Sequence, residues 1–96
     1  MCAVYADANS IIKDGLEVDE IEDAVQDRFR YEVKWSSGSW LFIGITEIRD
    51  ERKIIAAVLL HQGNQQWLVL EAELANEAQV KKRIEKEETT RKRGRE

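Results

Sequence analysis

The stretch Phe29-Arg30-Tyr31-Glu32-Val33-Lys34-Trp35-Ser36-Ser37-Gly38-Ser39-Trp40-Leu41-Phe42-Ile43-Gly44-Ile45-Thr46-Glu47-Ile48 decides the fold, because the hydrophobic period changes within it. Phe29, Tyr31, Val33 and Trp35 alternate with Arg30, Glu32 and Lys34, the two-residue period of a half-buried strand. Ser36-Ser37-Gly38-Ser39 reads as a turn. Residues 40–48 are almost continuously apolar, as expected of a central strand covered on both faces.

Upstream of this stretch the period is 3.6. Val18, Ile21, Val25 and Phe29 share a helical face, which predicts a helix over 19–28. Asp19 and Glu22 read as its capping pair, and acids crowd the first turn, where the helix dipole favours them. A shorter helix is expected over 6–13, with Ala8, Ile11 and Ile12 inward and Gly15 ending it. Downstream, Arg49-Asp50-Glu51-Arg52 and Gln62-Gly63-Asn64-Gln65 are turns that bound strands at 53–61 and 66–72. Asn76 and Gln79 form a capping box for a final helix. The expected fold is therefore α+β: two N-terminal helices, a four-stranded antiparallel meander and a C-terminal helix. Trp40, Ile43, Ile45, Ile55, Val58, Val69 and Leu70 should form a core against Ile21, Val25 and Phe29. Residues 1–88 make one domain. Residues 89–96 form a basic tail, expected to be disordered or to become helical on a partner.

The 96 residues carry 15 bases and 19 acids, a net charge of −4, but the charge is unevenly spread. Residues 1–27 hold eight acids against Lys13, and the remainder is net +3. The final helix carries one apolar pair, Val80 and Ile84, too little to cover the sheet, so a homodimer held by the apolar sheet face is expected, with the acidic first helix and basic tail steering an antiparallel approach. No apolar run reaches the roughly 18 residues of a membrane span, and the N-terminus lacks the basic start of a signal peptide. With one cysteine, Cys2, no internal disulfide is possible, and a cytoplasmic protein is expected. One histidine and one cysteine argue against a closed zinc site, and no cofactor motif is present.

The order of elements and several local phrases resemble the BrnT-like toxins of the RelE-like ribonuclease superfamily. Lys13-Asp14-Gly15-Leu16 followed by Val18 to Val25 is similar to their Lys-His-Gly-Val-Ser-x-x-Glu. Gly44-Ile45-Thr46 resembles their Gly-x-Thr, and Glu71-Ala72-Glu73 with Asn76 and Gln79 falls where they carry Ser-Ala-Arg, a Thr cap and Glu. The resemblance implies a toxin-like scaffold, metal-free cleavage of RNA, and an antitoxin-like protein partner. The departures concern charge. Asp14 stands at the histidine position, Glu73 at the arginine position, and Arg49-Asp50-Glu51-Arg52-Lys53 replaces the family's Gly-Arg hairpin. Two added acids oppose an RNA phosphate, so the residues lean away from an enzyme.

His61 is the one side chain suited by its ordinary pKa to acid–base work near neutrality, though a strand-end histidine is also ordinarily just exposed. Arg49, Arg52 and Lys53 at one hairpin, Arg28, Arg30 and Lys34 along the first strand, and Arg91, Lys92 and Arg93 in the tail are candidates for binding RNA or a partner. Each set reads equally as a solvated surface. Trp35, Trp40 and Trp67 could stack bases or pack across strands. Two functions follow: a non-catalytic interaction module, binding a protein or itself, and a toxin-like endoribonuclease.

Overall fold

The computed structural model describes residues 3–93. Its elements in chain order are β1 (Ala3–Tyr5), β2 (Ile11–Ile12), α1 (Val18–Val25), β3 (Tyr31–Ser36), β4 (Ser39–Thr46), β5 (Lys53–His61), β6 (Gln66–Leu74) and α2 (Glu77–Arg93). They form a six-stranded mixed sheet with two helices, which corrects the expected four-stranded meander behind two N-terminal helices. The antiparallel run β3-β4-β5-β6 is present. The correction lies at the N-terminus. The segment 6–13, expected to be a helix, is instead a turn followed by β2, and β1 and β2 both pair in parallel with β6, Val4 opposite Trp67 and Ile11 opposite Glu71.

A turn between those two strands fixes the segment. Ser10 and Asp7 close it through Asp7 N–H to Ser10 Oγ (3.0 Å) and Asn9 N–H to Asp7 Oδ1 (2.9 Å). The Ser10 hydroxyl then donates to the Val69 carbonyl (2.6 Å), which ties the turn to β6. Side chains of Asp and Ser that bond nearby backbone compete with helix in this way.

Helix α1 lies on one face of the sheet, over Phe42, Ile55, Ala57, Leu59, Val69 and Ala72, with Ile21, Ala24 and Val25 buried beneath it. Its cap is Glu17, two residues before the expected Asp19, and Glu20 accepts from the Glu17 N–H (3.0 Å). Gly44 sets the helix-to-sheet distance. A Cβ there would stand 1.9 Å from the Ala24 carbonyl oxygen, so only glycine lets the helix backbone approach.

Helix α2 starts at the expected Asn76–Gln79 box, which closes at 3.0 and 2.9 Å, and it continues through residues 89–93 of the basic tail. It meets β3 and β4 at one end of the opposite face, where a second cluster forms from Leu41, Ile43 and Ala56 with Tyr31, Ile54, Val58 and Ala75. A buried ion pair docks it. Arg83 Nε and Nη2 donate to the two Asp27 oxygens at 2.9 and 3.1 Å. Asp27 also accepts the N–H groups of Phe29 (3.0 Å) and Ile45 (2.9 Å). The two side chains are only 6% and 9% exposed. Fork-to-carboxylate geometry and the two added backbone donors offset the desolvation that burial imposes.

Of the expected core, Ile43, Ile55, Val69, Ile21 and Val25 are buried. Trp40, Ile45, Val58 and Phe29 are half-buried, and Leu70 is exposed beside the β5–β6 register shift. Residues 40–48 do not form one doubly covered strand: β4 ends at Thr46, and Ile48 is exposed in the turn that follows.

Candidate interaction surface

The cations picked out in the sequence separate into spent and available groups. Arg49 donates from Nη2 to both Asp19 oxygens (2.7 and 2.6 Å) and lies near Glu17 and Glu20. Lys53 Nζ meets Glu20 Oε2 at 2.8 Å, and Arg52 pairs with Glu47 at 3.4 Å. Arg52 is therefore paired within its own turn, while Arg49 and Lys53 neutralise the first turn of α1. The same pairs consume the acidic helix that the charge pattern had offered to a partner chain. The Lys53 hydrogen bond holds Glu20 below its ordinary carboxylate range against the opposing effect of burial.

On β3, residues 30, 32 and 34 alternate onto one face, so Glu32 divides the expected basic stripe. Arg30 pairs with Glu32 at 3.4 Å, while Lys34 has no ion-pair partner among the described residues. Phe29 is ringed by guanidinium groups: Arg28 at 5.3 Å, Arg83 at 5.7 Å and Arg91 at 4.9 Å from its centroid. Arg91 also pairs with Glu87 (3.6 Å). Lys92 and Arg93 are exposed in the last turn of α2, where the helix dipole favours cations.

His61 is exposed at the end of β5, its ring 4.7 Å from Trp67. Among the described residues it forms no hydrogen bond with an acidic or basic side chain. The two departures from the toxin pattern are both engaged in the fold. Asp14 accepts the Leu74 N–H (2.9 Å), and Glu73, with Glu71, pairs with Lys13 (3.4 and 3.7 Å). Among the described residues no group of three or more His, Cys, Asp or Glu is placed to hold a metal ion, and Cys2 lies outside them.

The incompletely covered sheet that the sparse apolar content of the final helix implied is present. On the sheet face opposite α1, helix α2 covers only one end. The rest presents Trp35 (61% exposed), Val33 (38%), Ile11 (53%) and Tyr5 (40%). A groove of about 170 Å³ on this face has Trp35, Leu41, Ala56 and Val58 as its apolar lining and Glu71, Glu73 and Gln79 at its rim. Two acids share Lys13 there, so the rim is net negative. The alternation of β3 marks the stripe, and the one apolar pair of α2, Val80 and Ile84, is the sequence signal that α2 leaves part of this face open; which residues stay exposed was not legible. Compared with known proteins, the chain matches no protein-family profile, no curated protein and no solved structure.

Proposed function

We propose that the chain is a non-catalytic interaction module that seats a protein partner on the sheet face opposite α1. The observation that carries this reading is the exposed apolar lining around Trp35. Apolar groups of this size clustered on one face gain free energy when a partner removes them from water. The acidic rim at Glu71 and Glu73 suits a partner whose apolar residues are flanked by bases. Of the cations that would have gripped RNA at the 49–53 hairpin, Arg49 and Lys53 are instead held by acids of α1, and Arg52 pairs with Glu47.

A second reading, a toxin-like ribonuclease or its RNA-binding relative, draws on the arginines around Phe29. Arg28 and Arg91 flank an aromatic ring, a combination that can hold phosphate and stack a base.

One pair of assays separates the two. A dye that fluoresces on apolar surfaces should bind the dilute protein and lose most of its signal in Trp35→Glu, with the far-ultraviolet dichroism unchanged. A structured messenger RNA should be neither cut nor bound at micromolar protein and physiological salt. Cleavage abolished by His61→Ala, or RNA binding abolished by Arg28→Ala with Arg91→Ala, would overturn the interaction reading in favour of RNA.

A further inference from the structure

Strand β3 is the edge of the sheet, paired on one side with β4 and with no strand on its other side among the described residues. Edge strands with free N–H and C=O groups are templates for pairing with another chain. We propose that β3 pairs antiparallel with β3 of a second copy, about a two-fold axis through Val33, joining two sheets into one. This rests on the interaction reading above and adds a second surface to it, the strand edge beside that face.

The segment Tyr31-Glu32-Val33-Lys34-Trp35 is complementary to its own reverse. Pairing about Val33 places Tyr31 opposite Trp35 of the second copy, Glu32 opposite its Lys34, and Val33 opposite its Val33. Each aromatic and each charged pair then occurs twice. Directly opposed residues of antiparallel strands share a face, so the two-fold can sit only on a residue, and the alternatives differ in steps of one residue at the centre. Centring on Glu32 opposes Glu32 to itself and Arg30 to Lys34. Centring on Lys34 opposes Lys34 to itself. Like charges directly opposite destabilise a pair, and unlike charges and aromatic pairs stabilise it. Among these three registers only the one about Val33 sets unlike charges against each other.

The surroundings fit. Lys34 has no ion-pair partner among the described residues, and Glu32 is 41% exposed and could hold both Arg30 and the incoming lysine. On the other face a recess of about 210 Å³ lies between Tyr31 and the Lys82, Glu85, Lys86 and Thr89 side of α2. It opens beside the position that receives Trp35 of the second copy. The register shift between Lys34 and Ser36 ends the regular edge, so the pairing spans residues 31–35. An interface this short falls below the roughly 1,200 Å² of stable complexes, which sets the expected dissociation constant in the micromolar range.

The register is tested by thiol cross-linking in a Cys2→Ser background, which leaves one introduced thiol per chain. Antiparallel partners stand about 4.5–5.5 Å apart at Cα, within disulfide reach. Val33→Cys oxidised with diamide should give a species of twice 11.1 kDa. Tyr31→Cys and Trp35→Cys should each cross-link at least tenfold less alone, yet join one another when mixed. Light scattering of the unmodified protein from about 1 to 500 μM should show the mass double. An 11.1 kDa mass at every concentration overturns the pairing and leaves the interaction reading standing. A dimer that cross-links better through Glu32→Cys or Lys34→Cys overturns the register. Nuclease activity in such a dimer would overturn the interaction reading and leave the pairing.

Discussion

On the β6 side the sheet ends in a strand broken into two short pieces, and on the β3 side it ends in six continuous residues. The first edge is fastened by side chains that no ladder requires: Ser10 to the Val69 carbonyl, Asp14 to the Leu74 N–H, Glu22 to the Val4 N–H (3.2 Å), and Lys13 to Glu71 and Glu73. The second edge has none of these fastenings on its outer side among the described residues, and its side chains beyond Tyr31 are exposed. Interruption and short length are how natural sheets discourage edge-to-edge association. The contrast shows where such protection stops, at the edge that the proposed pairing uses.

The largest expected effect concerns the helix that sits at one end of the β3 edge. Asp27→Ala leaves Arg83 buried without its carboxylate and orphans the Phe29 and Ile45 N–H groups. A loss of about 3–5 kcal/mol is expected from urea unfolding. Replacing both charges, Asp27→Leu with Arg83→Leu, should recover most of that loss, because the desolvation cost goes with them.

Acid should act through the same contact and through Glu20. Burial pushes the Asp27 carboxyl up, but the Arg83 guanidinium and two backbone N–H groups outweigh it, so the group titrates below its ordinary 3.8. Glu20, held by Lys53, titrates below 4.5. Depressed folded-state values mean that folding favours the ionised forms. Their stabilisation is whole above the ordinary values and is lost as pH falls through the folded ones. The urea midpoint should stay level from about pH 7 to 5 and fall steeply below about pH 4. Glu20→Gln should lower it at neutral pH and flatten the start of that decline.

Smaller effects probe each edge. Ser10→Ala removes the hydroxyl that bonds Val69 and should cost about 1 kcal/mol. Amide exchange should speed up about fivefold over residues 3–12 while the β4–β5 ladder is unchanged. Lys34→Glu should alter the stability of the single chain by less than about 0.5 kcal/mol, as exposed substitutions do. It should nevertheless abolish the doubling of mass in light scattering, because each Glu32 then faces an acid in place of a lysine. The swapped variant, Glu32→Lys with Lys34→Glu, restores opposed charges and should restore the dimer. If it does not, charge is not what selects the register.

How legible each edge was in the sequence follows from the range of the contacts that make it. Strands β3 to β6 are joined by short turns and carry their own period, so Tyr31–Ser36 and the Asn76–Gln79 cap could be read locally. Strands β1 and β2 are three and two residues long, too short to show a period. Their identity comes from β6, 59 positions away at the Ser10–Val69 contact. Ala8, Ile11 and Ile12 could equally be placed on a helix, and only the Asp7–Ser10 turn chemistry opposes it. The candidate site was less legible than the fold. Trp35 and Val33 were visible as a stripe, but their exposure depends on where α2 runs. That path is fixed by Arg83 and Asp27, a pair whose spacing in sequence carries no motif.

The distant pairing of the N-terminal segment bears on how the chain is made. Synthesis delivers Ala3–Ile12 well before the strand that receives it, Gln66–Leu74. Contacts between distant positions pay loop closure before they are rewarded, so the hairpins of β3 to β6 form ahead of them. During that interval Val4 and Ile12, destined for the core beneath α1, are exposed on the growing chain. Acids at Asp7, Asp14 and Glu17 flank them and keep that waiting segment charged. The charge of this segment thus bears on the growing chain and not only on the finished fold.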